Sequence, residues 1–438
     1  MRLLNIATPL SAPQRACGAG AFTRQPFFRI GLLTAICLVT AARAQTMLTW
    51  EQVKTRFQAG NPTLLAGQNT IQESRAQEIT AYLRPNPSMT ATLDQIDPFT
   101  GNPYRPFGLA LPLVAFDYLH EREHKRELRL ESARKGTAIA ESQQLDIERN
   151  LLFNLRSAFV QTLQAKALLA SARENLQYFD REMGVNRDRL KAGDIAQVDF
   201  NRLLLQRVQY ESDFETAQVN LRTAKITLLM LLNDRTALDQ FDVTGPFDFS
   251  DRSMTLDELH AMALQARPDL NAAIQALDKA QTDHKLAVAN GSTDPTFGVD
   301  FARNPPIPLY FGVSVNIPLR IFDKNQGEKA RTEIDIRHAE RLQDAAQALV
   351  FSDVDSAYYT VLSAVNLLKP YRDLYLKTAT DVRDTISFSY QRGQAALVDY
   401  LDAQRDYRAV RVAYLNLVGA YLTAQGQLSL AVGREVNP

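Results

Sequence analysis

The sequence predicts a mainly α chain with a small β part, assembled from two copies of one plan. Three observations carry the prediction. Proline gathers in two clusters: Pro85, Pro87, Pro98, Pro103, Pro106 and Pro112 in one, Pro295, Pro305, Pro306, Pro308 and Pro318 in the other. Between Pro112 and Pro246 there is none, and that stretch is poor in Gly and rich in Ala, Leu, Gln, Glu and Arg, as a long helix requires. Finally, residues 190–200, LKAGDIAQVDF, return 200 positions later as YQRGQAALVDY.

Composition sets the outer limits. In 438 residues, 49 Lys and Arg balance 49 Asp and Glu, while 45% are apolar and 22% charged. Such a chain is neither disordered nor a helical membrane protein. Balanced charge argues against nucleic acid as a partner.

Residues 1–44 read as a signal peptide with a long basic n-region. Arg2, Arg15, Arg24, Arg29 and Arg43 stand without an acidic residue, and an apolar run at 30–39 leads to Ala42-Arg43-Ala44. The length of the basic region leaves room for a start downstream of Met1. Cys17 and Cys37 precede the cut, so the exported chain would hold no disulfide, thiolate or Cys-bound metal.

The first repeat spans 45–232. Thr49, with Gln52 three residues on, reads as a helix cap. Strands are expected at about 88–97 and 106–115, because 88–94, SMTATLD, alternates polar with apolar. A helix over about 117–189 would be roughly 110 Å long at 1.5 Å per residue. A tip turn at 190–196 around Gly193 leads to a return helix at 197–232. Residues 233–267 form an equatorial belt segment, whose 255–267 helix, capped by Thr255 with Glu258, begins the second repeat. The rest of that repeat, 268–433, holds strands at about 295–304 and 308–319, a long helix at about 326–388, a tip turn at 390–396 and a return helix at 397–432. A tail at 434–438 ends the chain. The stripe after each tip, Tyr210, Phe214, Ala217, Leu221 against Val410, Tyr414, Leu417, Tyr421, steps by four and three like a coiled-coil seam.

Each zone offers two strands of about ten residues, enough to cross an outer membrane when tilted. A small soluble hairpin packed on helices shows the same alternation, but export, rod-length helices and paired strands together favour the membrane. Four strands cannot close a barrel, for which about eight is a practical minimum. Open edges in lipid leave backbone groups unpaired, so several chains must share one barrel. The alternative is an exported structural rod or filament subunit without a pore, which needs no spanning strand pairs.

Together these features resemble the TolC family of outer-membrane efflux ducts, over essentially all of residues 48–433. The resemblance rests on the duplicated plan, on Pro-Leu-x-x-Phe-Asp at 112–117 and 318–323, on Gly-x5-Asp at each tip, and on the 398–402 run, VDYLD. Arg84-Pro85-Asn86-Pro87 before the first strand is similar to the heavy-metal efflux branch. The resemblance implies a TolC-like homotrimer, with long periplasmic helical hairpins forming a tunnel and four strands per chain contributing to a shared twelve-stranded outer-membrane β-barrel. It implies a periplasmic adaptor protein and an inner-membrane efflux pump as partners, outer-membrane lipid as surroundings, and a Gram-negative-type outer membrane as location. The function it implies is a passive exit duct.

Residue by residue, the resemblance puts an acidic ring of the periplasmic gate at Asp399 and Asp402, and a gate latch at Tyr390 and Asp199. It makes the tip turns, Gly193, Asp194, Gly393 and Gln394, the adaptor contact. Ala395 stands where some members carry a latch Arg, so either the latch is weaker or Arg392 or Lys191 substitutes. Without the resemblance, Asp399 and Asp402 read as helix N-terminal acids that favour the dipole.

One motif competes. Residues 120–124, HEREH, satisfy H-E-x-x-H, which on a helix could place two His on one face for zinc. A helix over 121–129 would be charged on every face, however, and the corresponding stretch of the second half lacks the motif. His260, His284 and His338 stand apart as surface or packing residues. Neither G-x4-G-K-[ST] nor G-x-G-x-x-G occurs, so the chain has no means of coupling ATP hydrolysis to transport. No catalytic residue, metal or cofactor is expected.

Overall fold

The computed structural model describes residues 46–99, 103–250, 254–304 and 306–436. The expected signal peptide, its cut after Ala44 and both cysteines lie outside them. The chain runs β1 (Thr46–Leu48), α1 (Trp50–Gly60), α2 (Pro62–Tyr82), β2 (Ser88–Asp94), β3 (Leu111–Leu119), α3 (Lys125–Ala192) and α4 (Gln197–Leu231). It continues through β4 (Phe241–Val243), α5 (Leu256–Ala266), α6 (Pro268–Asn290), β5 (Thr296–Asn304), β6 (Ile307–Asn316), α7 (Gln326–Pro370), α8 (Leu376–Gln391) and α9 (Leu397–Val432). None of the described helices is long and apolar enough to cross a membrane.

Local chemistry starts and stops these helices. The backbone N–H of Thr49 donates to Gln52 Oε1 at 3.0 Å, and that of Thr255 to Glu258 Oε2 at 3.1 Å, so both capping boxes form. Asn61 accepts from the N–H groups of Thr63 and Leu64, with Pro62 at the first helical position of α2. With no proline inside it, α3 runs for 68 residues, about 100 Å at 1.5 Å per residue.

The element boundaries differ from the expected ones where backbone geometry intervenes. Gln95, at φ 57°, ends β2 at Asp94 instead of 97. Local turns, in which Gly108 N–H donates to Arg105 O at 2.9 Å and Ala110 N–H to Phe107 O at 3.2 Å, occupy the expected start of the second strand. β3 therefore occupies 111–119 rather than 106–115, and α3 starts at Lys125 rather than 117. β6 stops at Asn316, short of Pro318. The helix expected over 326–388 is broken by a π-helical turn, Tyr371–Tyr375, directly after Pro370. A proline ring has no N–H and crowds the preceding turn, so the ladder shifts to longer bonds there, as in Leu376 N–H to Tyr371 O. The short strands β1 and β4, which pair in parallel, lie outside every strand expected from the sequence.

Two apolar clusters join short helices to long ones. Val53, Phe57, Leu155, Phe159, Leu228 and Phe241 belong to the first; Leu259, Leu270, Val350, Val354 and Leu428 belong to the second. Burying each such side chain contributes about 1.5–3 kcal/mol. Arg267 is buried beside the second cluster, donating to Asp269 Oδ2 at 2.5 Å, Asp353 Oδ2 at 2.8 Å and Ala431 O at 3.2 Å.

The larger sheet has the order β2-β3-β5-β6, antiparallel throughout, with β2 and β6 as unpaired edges. Its register puts Met89, Phe116, Val299 and Val313 in one row across all four strands. That face continues through Val114, Phe301 and Phe311 and is apolar and exposed. Its opposite carries Thr90, Asp117, Asp300 and Ser314. Gly298 and Gly312 make room on that second face, since a Cβ there would meet Asp117 Oδ1 at 2.6 Å and Asp300 Oδ1 at 2.5 Å.

Candidate functional site

The sequence-derived site residues meet where α3 turns into α4 and α8 into α9. Gly193 (φ 81°) and Gly393 (φ 75°) take left-handed conformations that only glycine adopts without strain. Each closes its helix with the same paired bonds. Gly193 N–H donates to Leu190 O and Asp194 N–H to Arg189 O; Gly393 N–H donates to Tyr390 O and Gln394 N–H to Ser389 O. The four residues of the tip turns are exposed or nearly so.

Beneath the turns lies a buried aromatic cluster of Phe179, Tyr210, Tyr390 and Tyr400, with Met183, Phe200, Leu203 and Leu397. Tyr390 and Tyr400 stack at 4.8 Å between ring centres, as do Phe179 and Tyr210 at 4.6 Å. Polar groups are threaded through it. Tyr390 donates its hydroxyl to Asn186 Oδ1 at 2.9 Å, Gln391 donates to Glu182 at 3.0 Å, and Gln404 donates to Ser387 Oγ at 3.1 Å. The Tyr400 hydroxyl is buried without a hydrogen-bond partner. Burial raises the Tyr390 hydroxyl above its usual range against the opposing charge of Arg189, with the charges of Asp199 and Glu182 adding to the rise. Tyr390 is therefore a neutral donor at any physiological pH.

The latch pair is brought close but not into a bond. Asp199 has Arg202 at 3.7 Å, while Tyr390 bonds Asn186 instead. Neither expected substitute for the missing Arg reaches the latch within the chain. Arg392 sits over the Phe388 ring at 4.2 Å, and Lys191 pairs with Asp188 at 3.0 Å. Arg189 is the cation at Tyr390, 5.2 Å over its ring and donating to Tyr390 O at 3.3 Å. Ala395 packs against the aromatic cluster.

Asp399 and Asp402 are exposed in the first turns of α9, three apart and hence on one face. Asp399 accepts from Ala396 N–H at 3.3 Å, and Asp402 pairs with Arg405 at 3.2 Å. Sequence reasoning missed Glu182, Asn186 and Arg189. Their clue is the spacing of four between Glu182 and Asn186, polar positions amid the apolar Phe179 and Met183.

The H-E-x-x-H stretch is not helical, contrary to the helix expected over 121–129. Glu123 and His124 have φ 56° and 53°, and the helix begins only at Lys125. His120 packs edge-on against Phe297, and Glu121 accepts from Arg129 Nη2 at 2.9 Å. Among the described residues no cluster of His, Cys, Asp or Glu is arranged to hold a metal.

A sequence model of the family described as outer membrane efflux protein matches residues 306–434. The cobalt-zinc-cadmium resistance protein CzcC of Cupriavidus metallidurans is 22% identical over 410 residues, which is 92% of this chain and 94% of CzcC. The outer membrane efflux protein BepC of Brucella suis is 21% identical over 298 residues, 66% of this chain and 64% of BepC. Among solved structures, CusC shares the fold with a TM-score of 0.73 at 18% identity, over 88% of this chain and 92% of its own. The open-state outer membrane channel MtrE of Neisseria gonorrhoeae does so with a TM-score of 0.71 at 15% identity, over 88% and 89%.

Proposed function

We propose that this chain, TolC-like in sequence and in fold, is the outer-membrane exit duct of a tripartite efflux system. The observation that carries the reading is the four-stranded sheet, with one apolar, exposed face and two open edges. A lone chain would leave that face in water and those edges unpaired, whereas a shared barrel in lipid satisfies both. Three chains supply twelve strands to one barrel, and α3, α4, α7, α8 and α9 of each line a periplasmic tunnel. The order of elements supports the duplicated plan: α1, α2, β2, β3, α3 and α4 are followed by α5, α6, β5, β6, α7 with α8, and α9.

Conduction is passive, and the tips are the gate. Around a threefold axis Asp399 and Asp402 form two stacked acidic rings that attract cations. Gly193, Asp194, Gly393 and Gln394 present the turns to a periplasmic adaptor, which couples the duct to an inner-membrane pump. The name of CzcC and the Arg84-Pro85-Asn86-Pro87 run favour divalent metal ions as cargo. The test is direct. Purified protein should run as a trimer in mild detergent and conduct ions in planar bilayers, and loss of the gene should lower tolerance to cobalt, zinc or cadmium. A non-conducting monomer would overturn the duct; unchanged metal tolerance in the knockout would overturn the cargo alone.

A further inference from the structure

The two strand-to-helix junctions of the chain are built alike but finished differently. Each long helix starts from a left-handed residue, His124 (φ 53°) before α3 and Asn325 (φ 63°) before α7. The first junction is docked inside the chain, on the segment that precedes β5. His120 N–H donates to Pro295 O at 2.9 Å, Arg122 N–H donates to Asp294 Oδ1 at 2.9 Å, and buried Lys125 pairs with Asp294 at 2.5 Å. The second junction, which follows β6, is held within the chain at its two ends, where Thr293 Oγ1 donates to Pro318 O at 3.3 Å and Asn325 Nδ2 donates to Ala287 O at 2.7 Å, but the apolar side chains between them are left uncovered. Leu319, Ile321 and Phe322 stand there 79%, 66% and 90% exposed, and Ile321 N–H turns back on Leu319 O at 3.0 Å.

Topology identifies what the second junction lacks. The helices pack in the series α2, α3, α6, α7, which repeats the strand series β2, β3, β5, β6. In the sheet the first and last members, β2 and β6, are the open edges, while α7 also packs on α5 and α9. Pairing β6 with β2 of another copy is antiparallel, because β6 runs with β3 and against β2. The segment after β6 then falls beside the segment before β2, as 120–125 falls beside 292–295 within one chain. That facing segment begins at the end of α2, where Ile79 in the last turn is 68% exposed and Leu83, the extended residue just past the helix, is 60% exposed. Arg129 fixes it from behind by donating to Leu83 O at 3.3 Å.

We propose that Leu319, Ile321 and Phe322 of each copy clasp Ile79 and Leu83 of the next copy, an apolar seat where the internal junction uses the Lys125–Asp294 pair. The proposal rests on the shared trimeric barrel and specifies how its seams continue below the sheet. Leu83→Cys with Phe322→Cys, in the full-length chain oxidised in detergent, tests it. Covalent dimers and trimers should form on non-reducing gels with the double variant and with neither single variant, which also controls for Cys17 and Cys37. A Phe322→Trp variant should resist quenching by brominated phosphatidylcholine. A trimer by native mass that gives no cross-link, or strong quenching of Phe322→Trp, would overturn the clasp and leave the duct standing. A chain that never trimerises would overturn both.

Discussion

Tyr390 of α8 donates its hydroxyl to Asn186 of α3, across 2.9 Å, and both side chains are buried. The bond joins the two helical hairpins of one chain just beneath their turns. Gln391 to Glu182 and Arg189 to Tyr390 O run parallel to it. The two hairpins are therefore tied by contacts from one stretch of α3, 182–189, to one stretch of α8.

Tyr390→Phe keeps the stack on Tyr400 and removes only the hydroxyl. It should leave Asn186 Oδ1 unsatisfied in a buried site and cost about 1–3 kcal/mol at the tip. Resting conductance in planar bilayers should rise, and Asn186→Ala should raise it in the same direction. The double variant should add little to either single one, as partners in one bond do. If Asp199→Ala had the larger effect and Asn186→Ala none, the working latch would be the Asp199 pairing of the family.

The acidic pair is separable from the fold. Asp399→Asn with Asp402→Asn keeps side-chain acceptors near Ala396 N–H and Arg405 while removing the charge. Helix stabilisation should fall by only about 0.3–1 kcal/mol per charge. Block by multivalent cations should disappear while the trimer survives. Persistence of the block in this double variant would remove the ring assignment from these residues.

The sequence made much of this architecture legible because its signals are local. Proline-free runs bounded α3 and α4, the two Gly-x5-Asp stretches marked the tips, and Thr49 and Thr255 announced their caps. What it hid was decided by tertiary geometry. Whether Tyr390 meets Asp199 or Asn186 depends on how α8 sits against α3, and no periodicity within either helix specifies that. The start of β3 was hidden for a similar reason: the alternation at 107–111 is compatible with a strand, but turns at Gly108 and Ala110 use its backbone groups first. The left-handed His124 likewise turned an apparent helical motif into a corner.

Arg267, at the junction of α5 and α6, offers a test of how the fold is held. It is buried between Asp269 and Asp353, so Arg267→Met should leave Asp269 without its main partner and cost about 3–5 kcal/mol. Burial alone would raise the Asp269 carboxyl, but the hydrogen bond and charge of Arg267, aided by Arg149, outweigh it and hold the group below its ordinary value. A depressed carboxyl stabilises the fold above about pH 4, and that contribution is lost as pH falls through the folded value. The gap in thermal stability between wild type and Arg267→Met should therefore be widest near neutrality and narrow in acid. A gap independent of pH would mean that the side chain acts through packing alone.

The sheet faces give the last prediction. Val313 lies in the apolar row with Val299, Phe116 and Met89, and is 75% exposed. Ser314 is its neighbour on the opposite face, with its hydroxyl over Gly298, where a Cβ would meet Ser314 Oγ at 2.3 Å. If the apolar row faces lipid, Val313→Arg must place a cation in hydrocarbon, costing about 2–4 kcal/mol near the midplane and less near an interface. Ser314→Arg sends the same charge into a water-filled lumen beside Asp117 and Asp300, where it has carboxylates to meet. Val313→Arg should lower trimer yield in the outer membrane and its resistance to urea. Ser314→Arg should assemble normally and alter ion selectivity towards anions. Equal damage from the two variants would mean that both faces are buried against protein, and the sheet would then not be a barrel wall.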